Sequence, residues 1–408
     1  MPSPLSVLTR NRDFRYLFAA QLVVFGADWF VMVPLLELLP TLTGSGVWGG
    51  LVIAIDTGIT ALLLPYAGTI ADRVDRKRLM IYANVITVVG IVLLLAVRSA
   101  HGAWLALAAI GVVAVAKAFY SPAAQAALPN VVDPAELSAA NAVAGSAWGT
   151  MTVVGASLGG VLSSVLGPYT CFALAAGALV GSALVAWRIR RPLQAHGAAP
   201  VVAARSAVRE AFVYIRSNPR VRALVTVKSA VGLGNGVLTV FPLLAGMFGA
   251  GAIGTGLLFA VRGAGSMVGP LLMRAVLTRR SWLLPGMALS MATYGLSYLG
   301  ASVTTVFPLL LALVFLAHLA GGGNWAMSNF ALQGEVPDRL RGRVFATDMM
   351  VATLAISASQ LVVAAVVDHV SEQAVLAGCG LVTFVYAVVW WLATRRLARV
   401  DTPEPVRE

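Results

Sequence analysis

Five ionisable side chains stand deep inside long apolar runs of this chain: Asp28, Asp56, Lys117, Arg262 and His318. A carboxylate, ammonium or imidazole in such surroundings can take up and release a proton, or hold a ligand of opposite charge. None of the five belongs to a pattern for covalent or metal chemistry. The four histidines (His101, His196, His318, His369) are scattered and give no H-E-x-x-H pair. No G-x-x-x-x-G-K-[ST] loop offers a nucleotide site. Cys171 and Cys379, far apart in apolar runs, read as small core residues, which leaves no disulfide framework. No metal or other cofactor is expected.

The elements that must position these groups are membrane helices. The chain is 59% hydrophobic and 11% charged, where soluble domains average about 45–50% and about 25%. Its apolar runs are continuous and about 20 residues long, enough to span the hydrocarbon core as helices. They lack the alternation of a barrel strand. Twelve spans are expected, at 16–40, 47–70, 79–98, 103–127, 138–166, 170–187, 222–247, 252–276, 282–301, 305–331, 346–367 and 373–393. At a rise of about 1.5 Å per residue, Asp28 lies about 20 Å in from Arg15, Asp56 about 24 Å from Asp72, and Lys117 about 16 Å from Leu128. Arg262 and His318 fall at about 18–21 Å by the same arithmetic. An ionisable group at such depth costs about 2.5 kcal/mol or more, which makes each a functional candidate. Glu37 and Lys228 lie nearer span ends, where they are expected to reach water, Lys228 by snorkelling.

Charge fixes the orientation. Of 29 basic residues, Lys117, Lys228 and Arg262 fall inside spans and Arg98 is the one on the far side; all others share one face with both termini. That face is cytoplasmic. The net charge of +12 follows from this topology and argues against a nucleic-acid partner. The basic start runs into a first span too long for a cleaved signal. The longest connection divides the chain into a six-helix bundle at 1–188, a cytoplasmic linker at 189–221 and a second bundle with a tail at 222–408. Within the linker, 206–217 is expected as an amphipathic helix on the inner membrane surface, with Val208, Phe212 and Ile215 on one face. The halves are weakly alike: ALPNVVDPAEL (127–137) follows span four, and ALQGEVPDRL (331–340) follows span ten. Repeated six-helix halves are a transporter feature.

GTIADRVDRKRLM, residues 68–80 between spans two and three, closely resembles the cytoplasmic loop motif of the major facilitator superfamily. Gly68, Ala71, Asp72, Arg73, Arg76 and Lys77 match, and Asp75 stands where glycine is usual. GASLGG (155–160) is similar to the glycine segment of the family's exporters, with Ala156 in place of proline. RNRDFRYLFAAQLVVFGADW, FYSPAAQAALPNVV and VPDRLRGRVFA resemble a bacterial subgroup of macrolide-type drug exporters and siderophore exporters. The resemblance implies an all-α fold of two six-helix bundles in a bacterial inner membrane. It also implies a secondary transporter, not an enzyme, that works by alternating access, with efflux of a small amphipathic compound in exchange for protons. A proton-coupled importer, or a siderophore or lipid exporter of the same fold, is the alternative. Its partners would be substrate, protons and the lipid bilayer, and it would be a monomer.

The resemblance also assigns roles. Asp72 would meet the start of span eleven, with Arg73, Arg76 and Lys77 pairing with acids such as Asp348, as a cytoplasmic latch. Spans one, four, seven and ten would line the cavity, so Asp28 and Lys117 would share it. Asp28 would exchange protons under the influence of Lys117. Asp56 would be a second carrier, or would pair with Arg262, and His318 a shuttle. GLGNG (232–236) and GGGNW (321–325) are expected to interrupt spans seven and ten. Trp29, Phe119, Tyr120, Asn235, Arg262, Asn324 and Trp325 are the candidate substrate contacts.

Overall fold

The computed structural model describes residues 4–133, 136–194, 204–273 and 280–399; among them the chain is helical, with no strand. The first half runs through α1 (Pro4–Arg10), α2 (Arg12–Thr43), α3 (Val47–Arg73), α4 (Arg76–Leu94), α5 (Ala103–Val131), α6 (Leu137–Leu166) and α7 (Pro168–Trp187). After α8 (Ala204–Ser217) come α9 (Pro219–Gly234), α10 (Phe241–Met247), α11 (Gly251–Leu272), α12 (Leu283–Ser302), α13 (Phe307–Glu335), α14 (Asp338–Val366) and α15 (Glu372–Arg399). Span seven is α9 and α10 joined by a tighter 3-10 stretch, Asn235–Val240. Eleven described runs are long and apolar enough to cross a membrane. The remaining expected span is α12, a 20-residue helix made less apolar by Ser290, Tyr294, Ser297 and Tyr298. All four are buried, so its polar atoms face the protein.

Side chains set the helix ends. Asn11 accepts from the Phe14 N–H at 3.0 Å and donates to the Val131 carbonyl at 2.9 Å, which starts α2 and ties it to the end of α5. Asp75 caps α4 by accepting from the Arg78 N–H at 2.8 Å. The chain leaving α7 returns to α2, where the Arg190 and Arg191 N–H groups both donate to the Asp13 carboxylate at 3.1 Å.

The chain forms two compact units: Met1–Ala204 with Phe241–Ala260, and Arg205–Val240 with Val261–Glu408. In the first, α2 packs on α6 and α7, α4 on α5 and α7, and α3 on α5. In the second, α9 packs on α14 and α15, and α12 on α13 and α15. Counted as spans, these are the same pairings displaced by six: one with five and six, then seven with eleven and twelve. Three with four and six becomes nine with ten and twelve. The repeat that is faint in the residues is plain in the packing.

Segment Phe241–Ala260 belongs to the first unit through one face of α11. Thr255 donates its hydroxyl to the Glu37 carboxylate, Phe259 packs on Trp29 with ring centres 4.9 Å apart, and Gly256 abuts α6. A Cβ on Gly256 would sit 2.7 Å from the Ala156 carbonyl, and one on Gly160 would sit 2.5 Å from the Ala252 carbonyl. The GASLGG segment therefore acts as a contact surface where backbones meet.

Helix α8 differs from the expected surface helix. Ala211 and Ile215 are buried in the core of the second unit, while Phe212 is 58% exposed. Its docking face is set by pins on either side: Arg343 pairs with Glu210, and the Tyr214 hydroxyl donates to the Glu335 carbonyl at 3.4 Å.

Candidate functional site

Three of the sequence-predicted residues meet in the first unit. Lys117, midway along α5, donates to Asp56 Oδ2 of α3 at 2.6 Å and to Asp28 Oδ1 and Oδ2 of α2 at 3.1 and 3.2 Å. The ammonium's donors converge on two carboxylates from two other helices. Asp56 thus pairs with Lys117, whereas Arg262 belongs to the second unit. Asp56 Oδ1 is buried and has no hydrogen-bond partner among the described residues. With all three groups ionised the cluster carries one surplus negative charge, so one added proton makes it neutral. Asp56 Oδ1 is the open acceptor.

The triad lines a cavity of about 30 Å³, together with Asn84, Thr87 and Tyr120 and an apolar wall that includes Val24, Ile91 and Val113. Such a space suits ordered water, whereas pockets for drug-sized ligands run to about 300 Å³ and more. Asn84 donates to Ser182 at 3.0 Å, and Ser182 donates to the Ala20 carbonyl at 3.1 Å. This buried chain fixes α4 and α7 behind the triad.

His318 and Arg262 form a different cluster, in the second unit. The Tyr298 hydroxyl lies 2.9 Å from His318 Nε2, and the Tyr294 ring stands 5.3 Å from the imidazole. Arg262 is an electrostatic neighbour of Tyr294, Tyr298 and His318. Neither tyrosine stands out in the sequence, since an aromatic in an apolar span reads as core.

The substrate candidates divide by surroundings. Tyr120 is buried against the triad cavity, while Trp29, Phe119 and Trp325 are half-buried. Asn235 opens the 3-10 stretch and donates to the Val231 carbonyl at 2.6 Å. Asn324 is fully buried and donates to the Met287 carbonyl and Ser290 at 3.2 and 3.1 Å, tying α13 to α12. The expected break at GGGNW is absent, because α13 runs unbroken from Phe307 to Glu335. Its glycines serve close packing instead: a Cβ on Gly322 would lie 2.5 Å from the Ser266 carbonyl.

The loop motif is partly described. The surroundings of Gly68 and the side chains of Asp72 and Arg73 lie outside the described residues. Arg76 donates to the Ala71, Ala126 and Leu193 carbonyls at 3.2, 2.7 and 3.2 Å, and Lys77 to the Ile189 carbonyl at 2.7 Å. These cations collect helix-end carbonyls of their own unit. The pairing expected of them with Asp348 is corrected likewise, because Asp348 is buried in the second unit with Lys228 as its partner. Lys228 itself does not snorkel. Its partners Asp348 and Asn329 hold it inside, with no exposed surface.

No cluster of metal-ligating side chains occurs among the described residues, and both cysteines are free and buried.

Comparison of the sequence with curated proteins gives no match. Solved structures do match along the chain. The nucleoside transporter NupG aligns with a TM-score of 0.76 at 15% identity, covering 94% of this chain and 99% of its own. The peptide transporter POT bound to alafosfalin aligns at 0.74 and 14%, covering 96% of each chain. The human organic anion transporter MFSD10 aligns at 0.66 and 17%, covering 96% of this chain and 100% of its own. At these identities the likeness is one of fold. The family model of the Major Facilitator Superfamily matches residues 17–289 and 235–408. Twelve helices in repeated sixes, buried charges at mid-span and that match together place the chain in the Major Facilitator Superfamily.

Proposed function

We propose that this chain is a proton-coupled secondary transporter that exports a small amphipathic compound by alternating access. The observation that carries the reading is the Asp28–Lys117–Asp56 triad, a half-buried cluster with one surplus negative charge and an open, buried carboxylate oxygen on Asp56. Protonation at Asp56 Oδ1 weakens its hold on Lys117, which then leans on Asp28 alone. Changing partners in this way moves α5 relative to α3 and couples proton binding to helix position. Trp29, Phe119 and Trp325 offer aromatic faces to substrate. The triad's cavity admits water and protons. Arg76 and Lys77, holding the carbonyl ends of α5 and of the chain after α7, brace the cytoplasmic end of the first unit, with Asp72 as a further part of the gating set.

The test uses inside-out vesicles with an imposed pH gradient and a panel of cationic drugs, macrolides, siderophores and lysolipids. Proton release on addition of a compound is expected in wild type and lost in Asp28→Asn and Asp56→Asn at equal folded protein. Silence across the panel removes the exporter reading, and proton movement of opposite sign turns it into import.

A further inference from the structure

A second buried ion pair lies outside the triad. In the second unit, Lys228 Nζ of α9 contacts Asp348 Oδ2 of α14, and both side chains have no exposed surface. Lys228 also donates to Asn329 Oδ1 of α13 at 2.7 Å and sits 5.1 Å from the centre of the Trp325 ring. The lysine is therefore held on every side. Asp348 is not: its Oδ1 is buried without a hydrogen-bond partner among the described residues. Lys228 lies nine residues beyond Pro219 and Asp348 ten beyond Asp338, each about 14–15 Å into the membrane from the helix start.

The choice of lysine is informative. Of 29 basic residues only Lys77, Lys117 and Lys228 are lysines. Two of the three stand inside spans, each bound to aspartate. Elsewhere the chain pairs its acids with arginine, as in Arg220–Glu335, whose side chains are 16% and 17% exposed; the two lysine sites depart from that usage. Arginine holds its proton under all conditions in a protein, whereas an ammonium can give one up. A purely structural pair is served better by the arginine fork, which offers a carboxylate two parallel hydrogen bonds.

We propose that Lys228 and Asp348 form a second proton-exchange centre, one in each unit of the transporter. Lys228 Nζ passes a proton to Asp348, the N–H bond breaking as the O–H bond forms, which leaves a neutral amine and a neutral acid. The amine then takes a proton from hydronium on the cytoplasmic side when the site opens, releasing water, so that the pair has gained one proton. The α9–α14 tie changes from an ion pair to an ammonium beside a neutral acid and loosens. Other charged or titratable groups on the packed elements have partners of their own: Arg220 with Glu335 at 2.8 Å, Arg222 with the Arg216 carbonyl at 3.3 Å, Arg343 with Glu210, His318 with the Tyr298 hydroxyl at 2.9 Å, and Tyr386, whose hydroxyl donates to the Thr226 carbonyl at 2.9 Å.

This inference rests on the proton-coupled reading, and infrared difference spectroscopy separates the two. Full-length protein carrying isotope-labelled aspartate, in lipid, is titrated from about pH 9 to about pH 5, a window set by ordinary side-chain values. Wild type is expected to gain a protonated-carboxyl band that Asp348→Asn removes while remaining folded and monodisperse. Lys228→Arg is expected to move the midpoint of that band by at least one pH unit, or abolish it. A carboxyl region identical in wild type and Asp348→Asn overturns the proposal, as does a band indifferent to Lys228→Arg. The triad is read separately through Asp28→Asn and Asp56→Asn. If their bands are missing while the Asp348 band is present, the first reading fails and the second centre stands.

Discussion

Lys117 is the residue on which the first unit's charge balance turns. Removing it as Lys117→Met leaves two carboxylates facing each other over a small cavity, and breaking a buried pair in this way costs about 3–5 kcal/mol. We expect Lys117→Met to fall out of solution on extraction from the membrane. Lys117→Met combined with Asp28→Asn and Asp56→Asn should recover most of the lost thermal stability, though not transport. Fluorescence-detected size exclusion after a heating series checks this. Equal instability of the single and triple variants would mean that packing, and not charge, is what the lysine supplies. Depth along a helix was legible in the sequence, and so was the company of Asp28 and Lys117. The partner of Asp56 was not, because an uncertainty of one residue in helix phase turns a side chain through 100°. Lys228 and Asp348 are 120 residues apart, and nothing local to either announces the other.

At the scale of elements, α6 does two jobs with one glycine-rich segment. Gly155 and Gly159 face the backbone of α2 at Gly26 and Phe30, while Ala156 and Gly160 face α11. Gly256→Leu is expected to destabilise by about 1–3 kcal/mol through overpacking, read as a lower midpoint in detergent melts. Gly177→Leu, where nothing lies within 4 Å of a Cβ, should melt as wild type does. Helix α8 offers a second contrast. Ile215→Ala should cost about 2–4 kcal/mol, while Phe212→Ala and Glu210→Ala should each stay within about 1 kcal/mol. Equal effects at 212 and 215 would put the docking face where the sequence first suggested it. Periodicity put Phe212 on one face with Val208 and Ile215, and of the three only Ile215 is buried. Small Ala211 lets the helix approach closely enough to bury Ile215, and a ranking by apolarity undervalues that.

For the whole molecule, the count of spans and their orientation came from apolar run length and from arginine placement. Both are properties of the chain in a bilayer and need no knowledge of tertiary contacts. The least apolar span, α12, was found in the sequence because its neighbours fixed the alternation. Span ten was misread as interrupted because glycine clusters look alike whether they break a helix or let two helices meet. The orientation gives a direct test. A cysteine placed at Ser99 or at Val303, both beyond the outer ends of their helices, should react with an impermeant maleimide added to intact cells. One at Ser217 should react only in inverted vesicles. The reverse pattern would overturn the cytoplasmic assignment of the termini. The native cysteines are buried, so the background should be low.

The scarcity of lysine has a practical reach beyond coupling. Amine-directed reagents meet only three side chains in this protein. Lys77 lies in the loop motif between α3 and α4, bonded to a carbonyl, Lys117 is half-buried and Lys228 has no exposed surface. Acylation of Lys117 and of Lys228, followed over time by mass spectrometry, therefore works as a pair of clocks built into the chain. Each records how often its own bundle admits water, with no label to introduce and almost no competing sites to subtract.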